Sequence, residues 1–149
     1  MLQLSELKKL YEQELINFRR DLHMNPELSF KEFRTTNKIK DKLLSLGIEI
    51  IDIGLETGVV GLLRGKNDGQ TIALRGDIDA LPIQELNDVV YKSKVDGVMH
   101  ACGHDIHTTC VIGAAMILSS IKDEIDGNVL FIFQPAEEVN EGAKLMVEK

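Results

Sequence analysis

The sequence predicts an α/β fold, and two observations carry that prediction. Apolar residues recur at helical spacing through the first 46 residues, whereas short runs rich in β-branched residues follow from Ile48 onward. In addition, residues 129–133 form a fully apolar run, as is typical of a strand at the centre of a parallel sheet. A chain of 149 residues fits one domain.

Composition and charge narrow the possible partners and the compartment. The formal net charge of -7 argues against nucleic acid and against an anionic membrane surface as partners. The longest apolar run, residues 110–118, is too short to span a bilayer, and the charges of Glu6, Lys8 and Lys9 argue against a signal peptide. Because two cysteines cannot build a disulfide framework, we expect a reducing cytoplasm as the compartment.

The first predicted element is an amphipathic helix over residues 4–24. Its apolar residues recur at helical spacing, and Asn25-Pro26 ends it. His23 lies near its C-terminal end, where positive charge suits the helix dipole. We therefore interpret His23 as structural rather than as a metal ligand.

A second helix is predicted over residues 29–46. Ser29 is the expected N-cap, and Glu32, three residues later, completes a capping box. Gly47 is a good terminator, and the hydrophobic period changes after it.

The remaining chain alternates strands, turns and helices. Short β-branched or apolar runs predict strands at residues 48–53, 58–63, 71–74 and 129–133. Glycine with asparagine and aspartate predicts turns at 65–69 and 126–128. Residues 83–96 show little periodicity and are expected to be irregular, and residues 142–148 begin a further helix.

Residues 97–109 concentrate side chains that bind metals. They include three of the four histidines and one of the two cysteines, namely His100, His104, His107 and Cys102. Imidazole and thiolate are ligands that borderline-soft divalent metals prefer, and Gly103 lets the backbone turn so that Cys102 and His104 can converge. A metal site is one hypothesis. The alternative is a helix N-terminus with solvated histidines, because Cys-x-His is not a standard structural zinc spacing.

A buried helix is predicted to begin within this segment, at residues 105–120. Its small residues allow close packing, and His104 and His107 would stand near its N-terminus. Cys110 lies inside the apolar run and is expected to be a core residue.

Two pairs of acidic residues follow predicted strands. Ligands of α/β proteins bind beyond the carboxyl ends of strands, so we interpret Asp79 as a ligand or orienting group and Asp77 as a turn residue. Adjacent residues of an extended loop point to opposite sides. One of Glu137 and Glu138 could thus hold a metal while the other faces a substrate; the alternative is two solvated glutamates before a helix.

Four segments together resemble the metal-dependent aminoacylase and carboxypeptidase amidohydrolases. They are RRDLHMNPEL at 19–28, RGDIDALP at 75–82, HACGHDIH at 100–107 and FQPAEE at 133–138. The chain is most similar to the branch of hippurate hydrolases, N-acetyldiaminopimelate deacetylases and auxin-conjugate (indole-3-acetyl-amino acid) hydrolases. The resemblance covers residues 4–149 and implies a zinc-exopeptidase-like, three-layer α/β/α fold with a mostly parallel central sheet.

The resemblance also implies a site with two divalent metal ions. By position in the motifs, the metal ligands in this chain would be Cys102, His104 and Glu138. Glu137 would be the general acid/base, and Asp79 a carboxylate that orients the site. Three further motif residues receive no metal role: His100, Asp105 and His107.

The implied reaction is hydrolysis of the amide bond of an N-acyl amino acid or short peptide. A metal-activated water would attack, with Glu137 as the base. The thiolate favours zinc, nickel or cobalt over manganese in intrinsic affinity. Because this branch often uses manganese, zinc or manganese is the expected metal.

The chain departs from the family in length. Relatives are more than twice as long, supply two further histidine ligands downstream of the Glu-Glu pair, and insert a lid domain through which they often form homodimers. We therefore expect residues 1–149 to be the N-terminal part of a catalytic domain. Without the distal histidines, this part alone should bind metal weakly and be a poor catalyst.

Two alternatives come from other functional classes. In the first, the chain is a non-catalytic fragment whose Cys-His site holds one structural zinc with four closed ligands. In the second, Cys102 is a nucleophile with a nearby histidine as base, although such pairs are usually far apart in sequence.

Overall fold

The computed structural model describes residues 4–149 and has an α/β fold, as predicted. Its regular elements are α1 (Leu4–Met24), α2 (Phe33–Ser45), β1 (Glu49–Ile51), β2 (Val59–Arg64), β3 (Asn67–Asp77), α3 (His104–Ser120), a 3₁₀ turn (Lys122–Glu124), β4 (Asp126–Gln134) and α4 (Gly142–Val147). Residues 83–96 are irregular, as expected. Among these described helices, none has the length and apolar character needed to cross a membrane.

The four strands form one sheet in the order β1-β2-β4-β3. β2 runs antiparallel to β1 and to β4, whereas β3 runs parallel to β4. Within the described residues the sheet is therefore mixed rather than mostly parallel. Two parallel strands that are neighbours in a sheet need a long crossover connection. Among the described elements, only α3 provides such a connection, between β3 and β4.

Helices cover one face of this sheet. Gly61 of β2 faces Leu43 of α2, and Gly76 of β3 faces Val111 of α3. Both glycines pair with positions of β4 that point to the same face, and α1 packs against α3. The described residues thus supply the sheet and one helical layer of the expected three-layer fold.

The apolar strand β4 lies inside the sheet, as predicted, and anchors the core. Phe131 and Phe133 are fully buried among Ile112 of α3 and Ile39 and Leu43 of α2. The alternation of buried and half-buried residues along β4 matches a strand whose one face meets the helices. This packing fixes the position of the turn that follows β4.

The prediction that Ser29 caps the second helix is wrong. α2 begins at Phe33, and the Ser29 hydroxyl instead donates a hydrogen bond to Asp79 at 2.7 Å. The carboxylate of Glu27 accepts the N–H groups of Arg34 and Thr35, at 3.0 and 2.7 Å, and so caps the helix. A tertiary contact to a buried carboxylate has overridden the local capping preference of Ser29.

Other predictions made from local sequence also fail, because helix packing and strand pairing determine the structure at those positions. Cys110 is exposed rather than part of the core, because the buried face of α3 runs through Thr108, Val111 and Ile112. The turn predicted at 65–69 is shortened to residues 65–66, and the turn predicted at 126–128 is wrong, because Asn67 pairs with Asp126 and these residues belong to β3 and β4. The Asn67 side chain donates to Asp126 Oδ1 at 2.7 Å, which strengthens this pairing.

Replacement of a central core residue should destabilise the chain. Phe131 has no exposed surface, so Phe131→Ala should lower the free energy of unfolding by about 3–5 kcal/mol. Leu86, which is 88% exposed, is the matched control, and Leu86→Ala should change it by less than about 0.5 kcal/mol. Urea denaturation measures both, and equal effects would contradict the assignment of the core.

Candidate metal centre

The parallel pairing of β3 with β4 brings the acidic residues together. The pairing ends with Asp77 opposite Gln134, so Asp79 and the Glu137-Glu138 pair follow at the same edge of the sheet. α3 starts at His104 beside this edge. Gly103, with a φ of +92°, provides the left-handed turn that joins Cys102 to the helix.

Three side chains from this edge converge. Ligand atoms of Cys102, His104 and Glu138 all lie within 4.8 Å of one another. His104 is buried, Glu138 is partly buried and Cys102 is exposed, so the cluster opens to solvent on the cysteine side. Glu137 lies next to it, with Oε2 at 3.7 Å from His104 Nε2.

Asp79 is the buried residue that connects these parts. Its carboxylate has no exposed surface, and its Oδ2 accepts the Ser29 hydroxyl at 2.7 Å and the Glu138 N–H at 3.0 Å. His104 Nδ1 lies 2.9 Å from the Asp79 carbonyl and 3.2 Å from Asp79 Oδ1. Burial raises the pKa of Asp79, but the hydrogen bonds from His104, Ser29 and Glu138 hold it below the ordinary value.

His104 has an unusual protonation equilibrium. Burial lowers the pKa of its ring, but hydrogen bonding to Asp79 and the negative charge of Asp79 raise it to about 9. With Nδ1 directed at Asp79, Nε2 remains for an external ligand. A cation that binds this nitrogen must therefore displace a proton at neutral pH.

The group fits a divalent cation by its chemistry. It combines sulfur, imidazole nitrogen and carboxylate oxygen, the ligand types of zinc and related metals. Glu138 Oε1 is shielded from solvent and has no hydrogen-bond partner among the described residues, which leaves it available to a cation. Local desolvation and the charges of Glu138 and Glu137 raise the pKa of the Cys102 thiol, so a cation is needed to stabilise its thiolate.

A second group of ligand atoms lies beside the first. Asp77, His104 and His107 also have ligand atoms within 4.8 Å of one another. Asp77 Oδ2 lies 3.1 Å from His107 Nδ1, while its Oδ1 accepts Arg75 at 2.6 Å. The rings of His104 and His107 are stacked, with centroids 5.9 Å apart and planes 8° apart. The guanidinium of Arg75 already neutralises Asp77, which makes this group less suited to a cation.

The irregular segment that carries Cys102 is held by a buried ionic cluster. Glu85 Oε1 lies 3.1 Å from His23 Nε2, and Glu85 Oε2 accepts the Ser93 N–H at 2.6 Å. His23 Nδ1 lies 2.8 Å from Asp105 Oδ2, which links α1 to the start of α3. The geometry supports a structural role for His23, through carboxylate contacts rather than through the helix dipole.

His100 lies in the interior near this cluster. Neither of its ring nitrogens has a hydrogen-bond partner among the described residues, and burial lowers its pKa to about 4. His100 is therefore neutral at pH 7.

Comparison with known proteins decides the family. The family model for peptidase family M20/M25/M40 matches residues 73–149, which is more than half of the chain. The chain belongs to this peptidase family. The resemblance inferred from the four motifs is thereby confirmed, as is the zinc-exopeptidase-like fold class.

Individual M20 relatives agree with this assignment. The N-acetylcysteine deacetylase of Bacillus subtilis (strain 168) is 54% identical over 94% of this chain and 37% of its own length. The IAA-amino acid hydrolase ILR1-like 5 of Arabidopsis thaliana is 45% identical over 90% of this chain and 31% of its own length. The chain therefore spans about a third of the length of the curated relatives it matches.

A crystal structure supports the fold at high similarity. The Bacillus subtilis YXEP protein, described as a dinuclear metal binding peptidase from the M20 family, superposes with a TM-score of 0.91 and 54% identity. The match covers 94% of this chain and 40% of that one.

The M20 chain thus brings together every site residue named from the sequence. Cys102, His104, Glu138, Glu137 and Asp79 share one edge of the sheet, although their roles stay predictions. The sequence interpretation of Asp77 missed its pair with His107. The spacing of three residues between His104 and His107, on a predicted helix, is the signal that could have placed both on one face.

Removal of the Asp79 carboxylate should lower the pKa of His104. In the metal-free chain, Asp79→Asn should lower it from about 9, because the charge of Asp79 and its side-chain hydrogen bond no longer oppose burial, while the backbone carbonyl of residue 79 and the charge of Asp77 remain. A raised folded-state pKa stabilises the fold below the unfolded value, and this contribution is lost as pH rises through about 9. NMR titration of the His104 ring measures the shift. Asp126→Asn, at the far end of β4, is the control, and an unchanged His104 pKa in Asp79→Asn would contradict the geometry.

Proposed function

We propose that the protein containing this chain is a metal-dependent amidohydrolase that cleaves the amide bond of N-acyl amino acids or short peptides. The observation that carries the proposal is the placement of two adjacent glutamates against one histidine. Glu138 Oε1 lies 3.9 Å from His104 Nδ1, and Glu137 Oε2 lies 3.7 Å from His104 Nε2. The side chain of Glu138 is 17% exposed, whereas that of Glu137 is 38% exposed.

The two glutamates suit different tasks. Glu138, next to Cys102 and His104, would help to hold the metal, together with ligands from the rest of the protein. A divalent cation held there would supply Lewis acidity to a water molecule and to the substrate carbonyl. Glu137 takes a proton from the attacking water and passes it to the leaving amine, so that the products are a carboxylate and a free amino acid. Asp79 keeps the His104 ring oriented throughout.

The activities of two relatives support this substrate class. A deacetylase of N-acetylcysteine and a hydrolase of indole-3-acetyl-amino acid conjugates both act on an amide formed by an amino acid nitrogen. Two metal ions in the whole protein fit the dinuclear site named for the YXEP protein. Zinc or manganese, and dimerisation through a lid domain, belong to the same proposal.

Two features support this function over its rivals. A structural zinc site is closed by protein ligands, whereas the described cluster opens to solvent at Cys102 and has an additional carboxylate, Glu137, 3.7 Å from His104 Nε2. A nucleophilic cysteine requires a lowered pKa, whereas the pKa of Cys102 is raised.

Substitution of the two glutamates should separate their roles. In the full-length protein, Glu137→Gln should abolish turnover of an N-acetyl amino acid while metal content stays near that of the wild type, because the proton acceptor is lost and the ligands are kept. Glu138→Gln should lower metal content as well. Metal analysis beside a turnover assay measures both. Loss of metal in Glu137→Gln but not in Glu138→Gln would contradict this assignment and indicate that Glu137 is the ligand and Glu138 the base.

The 149-residue chain by itself should be a weak metal binder and a poor hydrolase. Three ligands make an incomplete shell, and metal affinity depends on a complete one. The full-length protein should lose activity to a chelator and regain it with zinc or manganese, which a cysteine nucleophile would not require. Metal-dependent turnover by the short chain at the rate of the full-length protein would contradict the incomplete shell.

A further inference from the structure

Glu32 is a buried residue whose side chain does not perform the capping role that its position suggests. It is the N-cap residue of α2, yet its side chain caps no N–H group of that helix. It has no exposed surface, and its Oε1 accepts the N–H of Ala136 at 2.8 Å, across 104 positions of sequence. Its other oxygen has no hydrogen-bond partner among the described residues.

The helix itself does not need this carboxylate. Glu27 accepts the N–H groups of Arg34 and Thr35 and thus satisfies the first turn of α2. Burial raises the pKa of Glu32, which shows that its charged form is held at a cost in free energy. No N–H group within α2 offsets this cost. The N–H of Ala136 opposes the rise in pKa most strongly, ahead of the backbone of Glu32 itself and the side chain of Thr57.

Ala136 begins the turn that carries the two glutamates. Its φ of +52° lies in the left-handed region, which alanine rarely adopts, and the residue is fully buried. The Ala136 carbonyl accepts the N–H of Gly142 at 3.1 Å, so hydrogen bonds hold both sides of this residue. Two positions later, Asp79 holds the Glu138 N–H at 3.0 Å. The backbone around Glu137 is therefore fixed by Glu32 before it and by Asp79 after it.

A second contact links α2 to this turn indirectly, through Gly58 before β2. Thr36 accepts the N–H of Gly58 at 3.0 Å. A Cβ on Gly58 would lie 2.7 Å from Cδ of Pro135, so only glycine fits there. Gly58 thus lies between Thr36 of α2 and Pro135, the residue that precedes Ala136.

We propose that Glu32 is a positioning residue that fixes the backbone of the general base Glu137 through the Ala136 N–H. This inference rests on the proposed function. It makes α2 part of the catalytic apparatus, although no residue of that helix lies in the metal cluster.

The test compares Glu32→Met, Glu32→Gln and Glu27→Met in the full-length, metal-loaded protein. Methionine keeps the length of the side chain but offers only a weak acceptor, whereas glutamine keeps a carbonyl oxygen for the Ala136 N–H. Glu32→Met should lower kcat for an N-acetyl amino acid roughly 10- to 100-fold, with little change in KM and in metal content, because the base is displaced. Glu32→Gln should recover most of kcat. Glu27→Met should lower Tm through the lost cap and leave kcat near that of the wild type.

Hydrogen exchange gives a readout that does not depend on activity. The Ala136 amide should exchange faster in Glu32→Met than in the wild type, Glu32→Gln or Glu27→Met. Unchanged exchange in Glu32→Met, faster exchange with unchanged kcat, or equal losses of kcat in Glu32→Met and Glu27→Met would each overturn the positioning role. A wild-type protein that hydrolyses no acyl amino acid would instead refute the proposed function, while the exchange of Ala136 would still test whether Glu32 holds the turn.

Discussion

The candidate site depends on one buried carboxylate, that of Asp79. It contacts the His104 ring from one side and receives the backbone N–H of Glu138 from the other. His104 belongs to α3, whereas Glu138 lies in the loop after β4. The side chain of Asp79, which contacts both, therefore sets the distance between these two proposed ligands. The hydroxyl of Ser29 satisfies the carboxylate further, which helps to keep it charged without solvent.

The sheet supplies the geometry that makes this possible. β3 and β4 are its parallel pair, and α3 is the crossover between them, so two strand ends and one helix start meet at the same edge. Short loops after these strands carry the acids. The long segment before α3 carries Cys102. This segment lacks regular secondary structure, and the buried contacts of Glu85 and His23 fix its position instead.

The residues named from the sequence as site residues lie together in the structure, whereas several details of the fold were not predicted. Metal-binding residue types cluster within short motifs, so Cys102, His104 and Glu138 could be named from their types and from the family resemblance. The α/β class could be predicted from the spacing of hydrophobic residues. The relative direction of the strands depends on which strands are neighbours in the sheet, and the spacing of hydrophobic residues does not reveal that. Local rules failed at Ser29 and Cys110, because a tertiary hydrogen bond and the orientation of α3 decided their environments. The contact of Glu32 with Ala136 lies beyond any local rule, since no spacing indicates it.

The most direct test of the account is X-ray absorption spectroscopy of the zinc-loaded full-length protein. We expect sulfur scattering at about 2.3 Å from zinc, beside shorter nitrogen and oxygen distances, and its loss in Cys102→Ser. A zinc shell of nitrogen and oxygen alone in the wild-type protein would contradict the claim that Cys102, His104 and Glu138 meet around one cation.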